Sequence, residues 1–142
     1  MKTQNPDFRE AARAIFHKAP FIADLGIVLA DLGPGWCETV LPVAPKHLQQ
    51  DGYVHAGVQA TMADHTAGCA AGTLVSANEM VLTAEFKINL LRPALGDRIR
   101  CRATVLKQGK TLIVAESEIH AIRDGVEKLA AKATVTLAPV RK

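Results

Sequence analysis

From position 80 onward the chain alternates. Met80, Leu82, Ala84, Phe86, Ile88 and Leu90 are separated by Val81, Thr83, Glu85, Lys87 and Asn89. Period-two patterning of this kind puts alternate side chains on opposite faces of a strand. It returns at Ile99, Cys101, Ala103 and Val105, then at Ile113, Ala115, Ser117, Ile119 and Ala121, and finally at Leu129, Ala131, Ala133, Val135 and Leu137. Turn residues separate these runs: Arg92-Pro93 with Leu95-Gly96-Asp97, then Gln108-Gly109-Lys110, then Arg123-Asp124-Gly125, whose Asp-Gly is a hairpin signal. Short turns force antiparallel pairing. Two further strands are predicted over 27–32 and 36–43, with Gly33-Pro34-Gly35 turning between them.

Two segments depart from this alternation. Phe8, Ala11, Ala12, Ile15 and Phe16 recur at helical spacing, with Asn5 as N-cap, Pro6 at the first helical position and Asp7 in the first turn. Ala19-Pro20 ends that helix, and residues 21–25 read as a short turn on the core, closed by Gly26. The second departure is 49–75, QQDGYVHAGVQATMADHTAGCAAGTLV. After a polar loop with a turn at Asp51-Gly52 come Val58, Ala60, Met62, Ala63, Ala67, Ala70 and Ala71, which give apolar cover on nearly every side. A helix apolar all round is a buried helix. Gln59, Asp64 and His65 interrupt it, and a buried carboxylate is costly unless it is paired, hydrogen-bonded or used.

One long buried helix followed by a run of antiparallel strands predicts an α+β fold in which the sheet wraps around the helix. The other face of the sheet then carries Arg98, Arg100, Arg102, Glu116, Glu118 and Lys132, where opposite charges on neighbouring strands can pair. No repeat or composition shift divides the 142 residues, so a single domain over 1–142 is expected.

Composition narrows the function classes. Hydrophobic residues make up 49% and charged residues 22%, a globular balance. A net charge of +3 and 4% aromatics argue against nucleic acid, but the charge suits a small anionic ligand. Cys37, Cys69 and Cys101 are widely spaced, without a CxxC or a Cys/His metal pattern, and read as small core residues in a reducing compartment. The N-terminus lacks a signal-peptide core, and Gln59, Asp64 and His65 argue against a membrane span, so a soluble cytoplasmic protein is expected. Gly33-Pro34-Gly35 lacks the later glycine and helix of a phosphate-binding loop. Asp64 and His65 point about 100° apart on a helix and have no third ligand partner, so no metal site is expected.

Gln49, then His55-Ala56-Gly57 six residues on, then Asp64 eight residues past Ala56, form a pattern similar to that of the PaaI-like acyl-CoA thioesterases of the hotdog fold. Ile88-Asn89-Leu90-Leu91-Arg92-Pro93 with Gly96-Asp97, and Lys107-Gln108-Gly109-Lys110-Thr111, also resemble that family. The resemblance spans about 25–137. It implies an antiparallel sheet around a central helix, an aryl- or acyl-CoA thioester as substrate with coenzyme A entering only as part of it, and a homodimer or homotetramer with shared active sites. Ala56 stands where the family usually has glycine; if that position acts through its backbone N–H, alanine still serves, and its methyl narrows the site.

Thioester hydrolysis must stabilise a carbonyl oxygen as it gains charge, activate water or a carboxylate, and release a thiolate. Amides at a helix N-terminus serve the first need, which puts Ala56 and Gly57 forward as an oxyanion hole; otherwise they only start a tightly packed helix. Asp64 is the candidate general base or nucleophile, or else a structural carboxylate bonded to backbone or to His65. Eight helical residues span about 12 Å, so one chain's Asp64 does not reach a carbonyl held at its own Ala56. Two helices packed antiparallel bring them together, which predicts a site shared across a dimer. Gln49 orients water or thioester, or is an ordinary loop residue. His55 supports the loop and helix start. Thr83 matches the family's Ser or Thr near the attacking water, or is a strand-favoured residue. Arg92, Lys107 and Lys110 are candidates for the phosphates of coenzyme A, or solvated surface charges. A hotdog hydratase or dehydratase, and a non-catalytic acyl-CoA binding protein, are the alternatives.

Overall fold

The computed structural model covers residues 1–142. The chain runs through α1 (Phe8–Lys18), α2 (Pro20–Leu25), β1 (Val28–Gly33), β2 (Trp36–Pro42), a 3-10 turn at Pro45–His47, α3 (Ala56–Gly72), β3 (Glu79–Leu90), β4 (Arg98–Gln108), β5 (Ile113–Arg123) and β6 (Val126–Arg141). Six strands form one antiparallel sheet in the order β1-β2-β4-β5-β6-β3. The sheet wraps around α3, which packs against β2, β3, β4, β5 and β6. This is the wrapped arrangement expected from the helix-then-strands pattern, and the hotdog fold that the family resemblance implies.

Composition explains why α3 fits inside the sheet. Met62, Ala63, Thr66, Ala67, Ala70 and Ala71 are all fully buried, and four of the six are alanines that let strands approach the helix axis closely. Buried hydrogen bonds lock the two layers. Ser117 Oγ of β5 donates to Ala63 O at 2.7 Å, and the Thr39 and Thr66 hydroxyls meet at 2.8 Å. Cys37 and Cys101 are fully buried on β2 and β4 and Cys69 is half-buried on α3, all as free thiols. The cysteines are separated in sequence but not in space, because β2 lies under α3. A hydrogen bond with Cys69, then burial, pushes the Cys37 thiol up, and burial pushes Cys101 up to about 12. Neither is a ready thiolate.

The outer face carries the expected charge ladder, with two partners that alternation did not single out. Arg100 donates to both oxygens of Glu127 at 3.1 and 2.8 Å, and Arg102 pairs with Glu38 at 3.2 Å while lying over the Trp36 ring. Lys132 bridges Glu116 and Glu118. Glu127 is available because β6 starts at Val126 and not at 129.

The expected helices are corrected first. Helix α1 begins at Phe8, because the Asn5 side chain accepts from Asp7 N–H at 3.0 Å and closes a turn before the helix. Only Ala12 and Phe16 of its stripe are buried, and Ile15 is 53% exposed, since α1 lies at the margin of the sheet. The segment after Pro20 is a true short helix, capped by Gly26 in the left-handed conformation at φ +87°.

The second correction concerns β3. A bulge at Ala84 breaks the register between Thr83 and Glu85. Val81 and Thr83 precede it and Phe86, Ile88 and Leu90 follow it on the helix side of the sheet, opposite the inward residues Leu137, Val135, Ala133 and Ala131. Met80 and Leu82 therefore face outward, not alongside Phe86. Strand β3 also lies at the sheet edge, where Leu82, Phe86 and Leu90 stay 53%, 42% and 49% exposed.

Candidate active site at the start and middle of helix α3

The loop leading into α3 is built by backbone satisfaction. His47 is buried; its Nδ1 accepts from Ala44 N–H at 2.9 Å, so its Nε2–H donates to Leu25 O at 2.6 Å. Its carbonyl takes the His55 N–H at 2.9 Å. Gln49 N–H donates to Tyr53 O at 2.8 Å, and Gln49 Oε1 accepts from Asp51 and Tyr53 N–H groups. The side-chain carbonyl of Gln49 is thus spent on the loop, while its Nε2 donors have no partner in the chain. Val54 N–H donates to Ala94 O at 3.0 Å, tying this loop to the one that follows β3.

His55 is the N-cap of α3. Its Nδ1 accepts from Gly57 N–H at 2.8 Å, and its carbonyl accepts from Val58 and Gln59 N–H at 3.0 and 3.3 Å. This is the supporting role expected of His55. It also divides the two amides expected to act together, because Gly57 N–H is engaged and Ala56 N–H is left pointing out of the helix start. Ala56 is exposed, so a ligand reaches it.

Asp64 lies two turns further along and is half-buried. Thr83 Oγ1 donates to Asp64 Oδ1 at 2.7 Å. The hydrogen-bond partner of this carboxylate is therefore the β3 hydroxyl, not His65. Oδ2 has no protein donor, and the pair sits at the open edge of the sheet. His65 turns the other way, its ring 4.6 Å from that of Phe16 on α1, with Nε2 buried and unpartnered. Burial holds its imidazole below the ordinary value of 6.5, with neighbouring Asp64 opposing. The two side chains diverge, as adjacent helical positions must. Ala56 and Asp64 remain about 12 Å apart along the axis.

The three candidate phosphate contacts do not converge within one chain. Arg92 lies at the N-terminal end of α3, where its N–H donates to Ala130 O at 3.2 Å. It lines a cavity of about 630 Å³ together with Tyr53, Arg123 and Lys128. Lys107 and Lys110 flank Gln108, whose Nε2 donates to Leu74 O at 3.4 Å past the C-terminal end of α3. Sequence reading passed over Tyr53, Arg123 and Lys128. The only signal was their proximity to turns, which surface charges share.

Comparisons with known proteins agree with this geometry. Residues 51–128 match the family model described as the thioesterase superfamily. The crystal structure of a thioesterase family protein from Silicibacter pomeroyi is 39% identical, covers 95% of this chain and 99% of its own, and superposes with a TM-score of 0.93. A 1,4-dihydroxy-2-naphthoyl-CoA hydrolase from Listeria monocytogenes is 29% identical over 83% of this chain and 94% of its own length. The E. coli PaaI protein, from the phenylacetic acid degradation operon, shares the fold at a TM-score of 0.84 and 21% identity, over 97% of this chain and 96% of its own. With a sheet wrapped around a helix that offers an amide at its start and a carboxylate two turns on, the chain belongs to the hotdog-fold thioesterase superfamily.

Proposed function

We propose that the protein hydrolyses an aryl- or acyl-CoA thioester at a site built by two copies of the chain. The observation that carries this reading is the separation of Asp64, hydrogen-bonded to Thr83 at an open sheet edge, from the exposed Ala56 amide about 12 Å away. Neither half suffices alone. Strand β3 has unpaired backbone along one side and exposed apolar residues on it, which favours a second copy pairing there. Antiparallel helices then bring the Asp64 of one copy to the Ala56 of the other. The dimer also sets Arg92 of one copy toward Lys107 and Lys110 of the other, which keeps positive charge along the path of coenzyme A.

In this site the thioester oxygen accepts from Ala56 N–H, which the helix dipole reinforces. Thr83 holds Asp64 Oδ1, leaving Oδ2 to take a proton from water or to attack the carbonyl. The unpartnered Gln49 Nε2 donates to water or thioester. His55 keeps the helix start in place through Gly57. Coenzyme A leaves as the thiolate. No helix is long and apolar enough to cross a membrane, which accords with a water-borne substrate.

The test is release of free thiol from a panel of aryl- and short- to medium-chain acyl-CoAs. Asp64→Ala is expected to lower kcat by about 10²–10⁴-fold, the range for losing a positioned base. Absence of thiol release by the wild type on every substrate would sink the hydrolase reading. Undiminished release by Asp64→Ala would sink the role of Asp64.

A further inference from the structure

The cavity beside the start of α3 is lined by Arg92, Arg123 and Lys128, with Tyr53, the chain's single tyrosine, as its aromatic wall. Three other cations of the sheet are matched. Arg100 and Arg102 share Glu38 and Glu127 between them, and Lys132 has Glu116 and Glu118. Arg92, Arg123 and Lys128 have no ion-pair partner, although Asp124 is also in the wall. Three unmatched cations around a concavity focus positive potential into it, and an anion relieves their repulsion. Tyr53 and the exposed side chain of Leu95 offer flat apolar surface beside that charge. About 630 Å³ lies within the size range of small-molecule sites.

We propose that this cavity holds the 3′-phosphorylated ADP end of the coenzyme A thioester, with the three cations on its phosphates and Tyr53 against the adenine. The inference rests on the thioesterase reading for its choice of ligand and adds Tyr53, Arg123 and Lys128 to the contacts that reading names. Position supports it. Tyr53 is three residues before Ala56, and the loop carrying Arg92 is tied to Val54 through Ala94, so the cavity opens next to the amide that receives the thioester.

Calorimetric titration of the full chain tests the site directly. The probes are adenosine 3′,5′-bisphosphate, free coenzyme A, adenosine and inorganic pyrophosphate. Arg123→Gln with Lys128→Gln, both exposed on a hairpin, is expected to weaken the bisphosphate and coenzyme A by roughly tenfold or more. Tyr53→Ala is expected to weaken both without strengthening their salt dependence. Equal affinity in wild type and double variant would overturn the proposal. So would pyrophosphate binding as tightly as the bisphosphate with no effect of Tyr53→Ala, which marks a plain anion site. In parallel, the wild type is expected to prefer acyl-CoA over acyl-pantetheine in kcat/KM, and the double variant to lose that preference. No thiol from either thioester would contradict the thioesterase reading, while the titration still decides the cavity.

Discussion

At the residue scale, the proposed oxyanion donor is a single N–H, that of Ala56. Ala56 is the first residue after the His55 cap, and proline is well accepted at that position because its missing N–H is unpaired there. His55 already has the extended ψ of 140° that precedes proline comfortably. Ala56→Pro is therefore expected to keep the melting temperature close to that of the wild type and to lower kcat by about 10²–10³-fold, as loss of an oxyanion donor does. Thermal denaturation alongside steady-state kinetics checks both halves. His65 gives a second expectation. Burial holds its folded pKa below 6.5, so on acidification the unfolded chain binds the proton first. Its contribution to stability is full above about 6.5 and is lost as the pH falls below that value. Urea unfolding between pH 7 and 5 is expected to show a steeper loss in the wild type than in His65→Phe.

Residue identities were legible to different degrees. Asp64 stood out because a carboxylate in an apolar run is costly unless it is paired, hydrogen-bonded or used. The capture of Gly57 N–H by His55 was not legible, since it depends on a side-chain rotamer, and Gly57 and Ala56 look equivalent until that bond is seen. Arg123 and Lys128 carry no pattern of their own, and only folding shows that their charges go unmatched.

At the element scale, α3 is specified by smallness as much as by apolarity. Ala67 is fully buried where strands cross the helix, and its volume sets their approach. Ala67→Leu is expected to cost about 1–3 kcal/mol by overpacking, measurable as a lower urea midpoint with an unchanged slope. The alternation of β4, β5 and β6 was readable because one face is buried and the other carries the charge ladder. Strand β3 shows where that reading stops. A one-residue bulge at Ala84 swaps faces midway, and six apolar residues in step look like one buried face when two are involved. Its edge position was also illegible, because period two reports that a strand is half-buried, not which strands flank it. Exposed Phe86 and Leu90 leave apolar surface at that edge, which the proposed second copy covers.

At the scale of the whole molecule, one long helix carries the two proposed half-sites, the Ala56 amide and Asp64, too far apart to meet. The sheet holds that helix rigidly through Thr66, Ala63 and Met62, so no bending closes the gap of about 12 Å. In the proposed function closure comes from a second copy, docked at the exposed β3 edge beside Asp64. The fold and the spacing were both legible in the sequence, and the spacing by itself predicts a site shared by two chains. Complementation tests this central claim most directly. Asp64→Ala and Ala56→Pro chains, each inactive, are unfolded together, refolded at equal concentration and assayed for thiol release. Half of the dimers are then mixed, each with one intact site, so recovery of about one quarter of wild-type activity is expected for a two-fold dimer. Activity no greater than the sum of the two parent variants would contradict it.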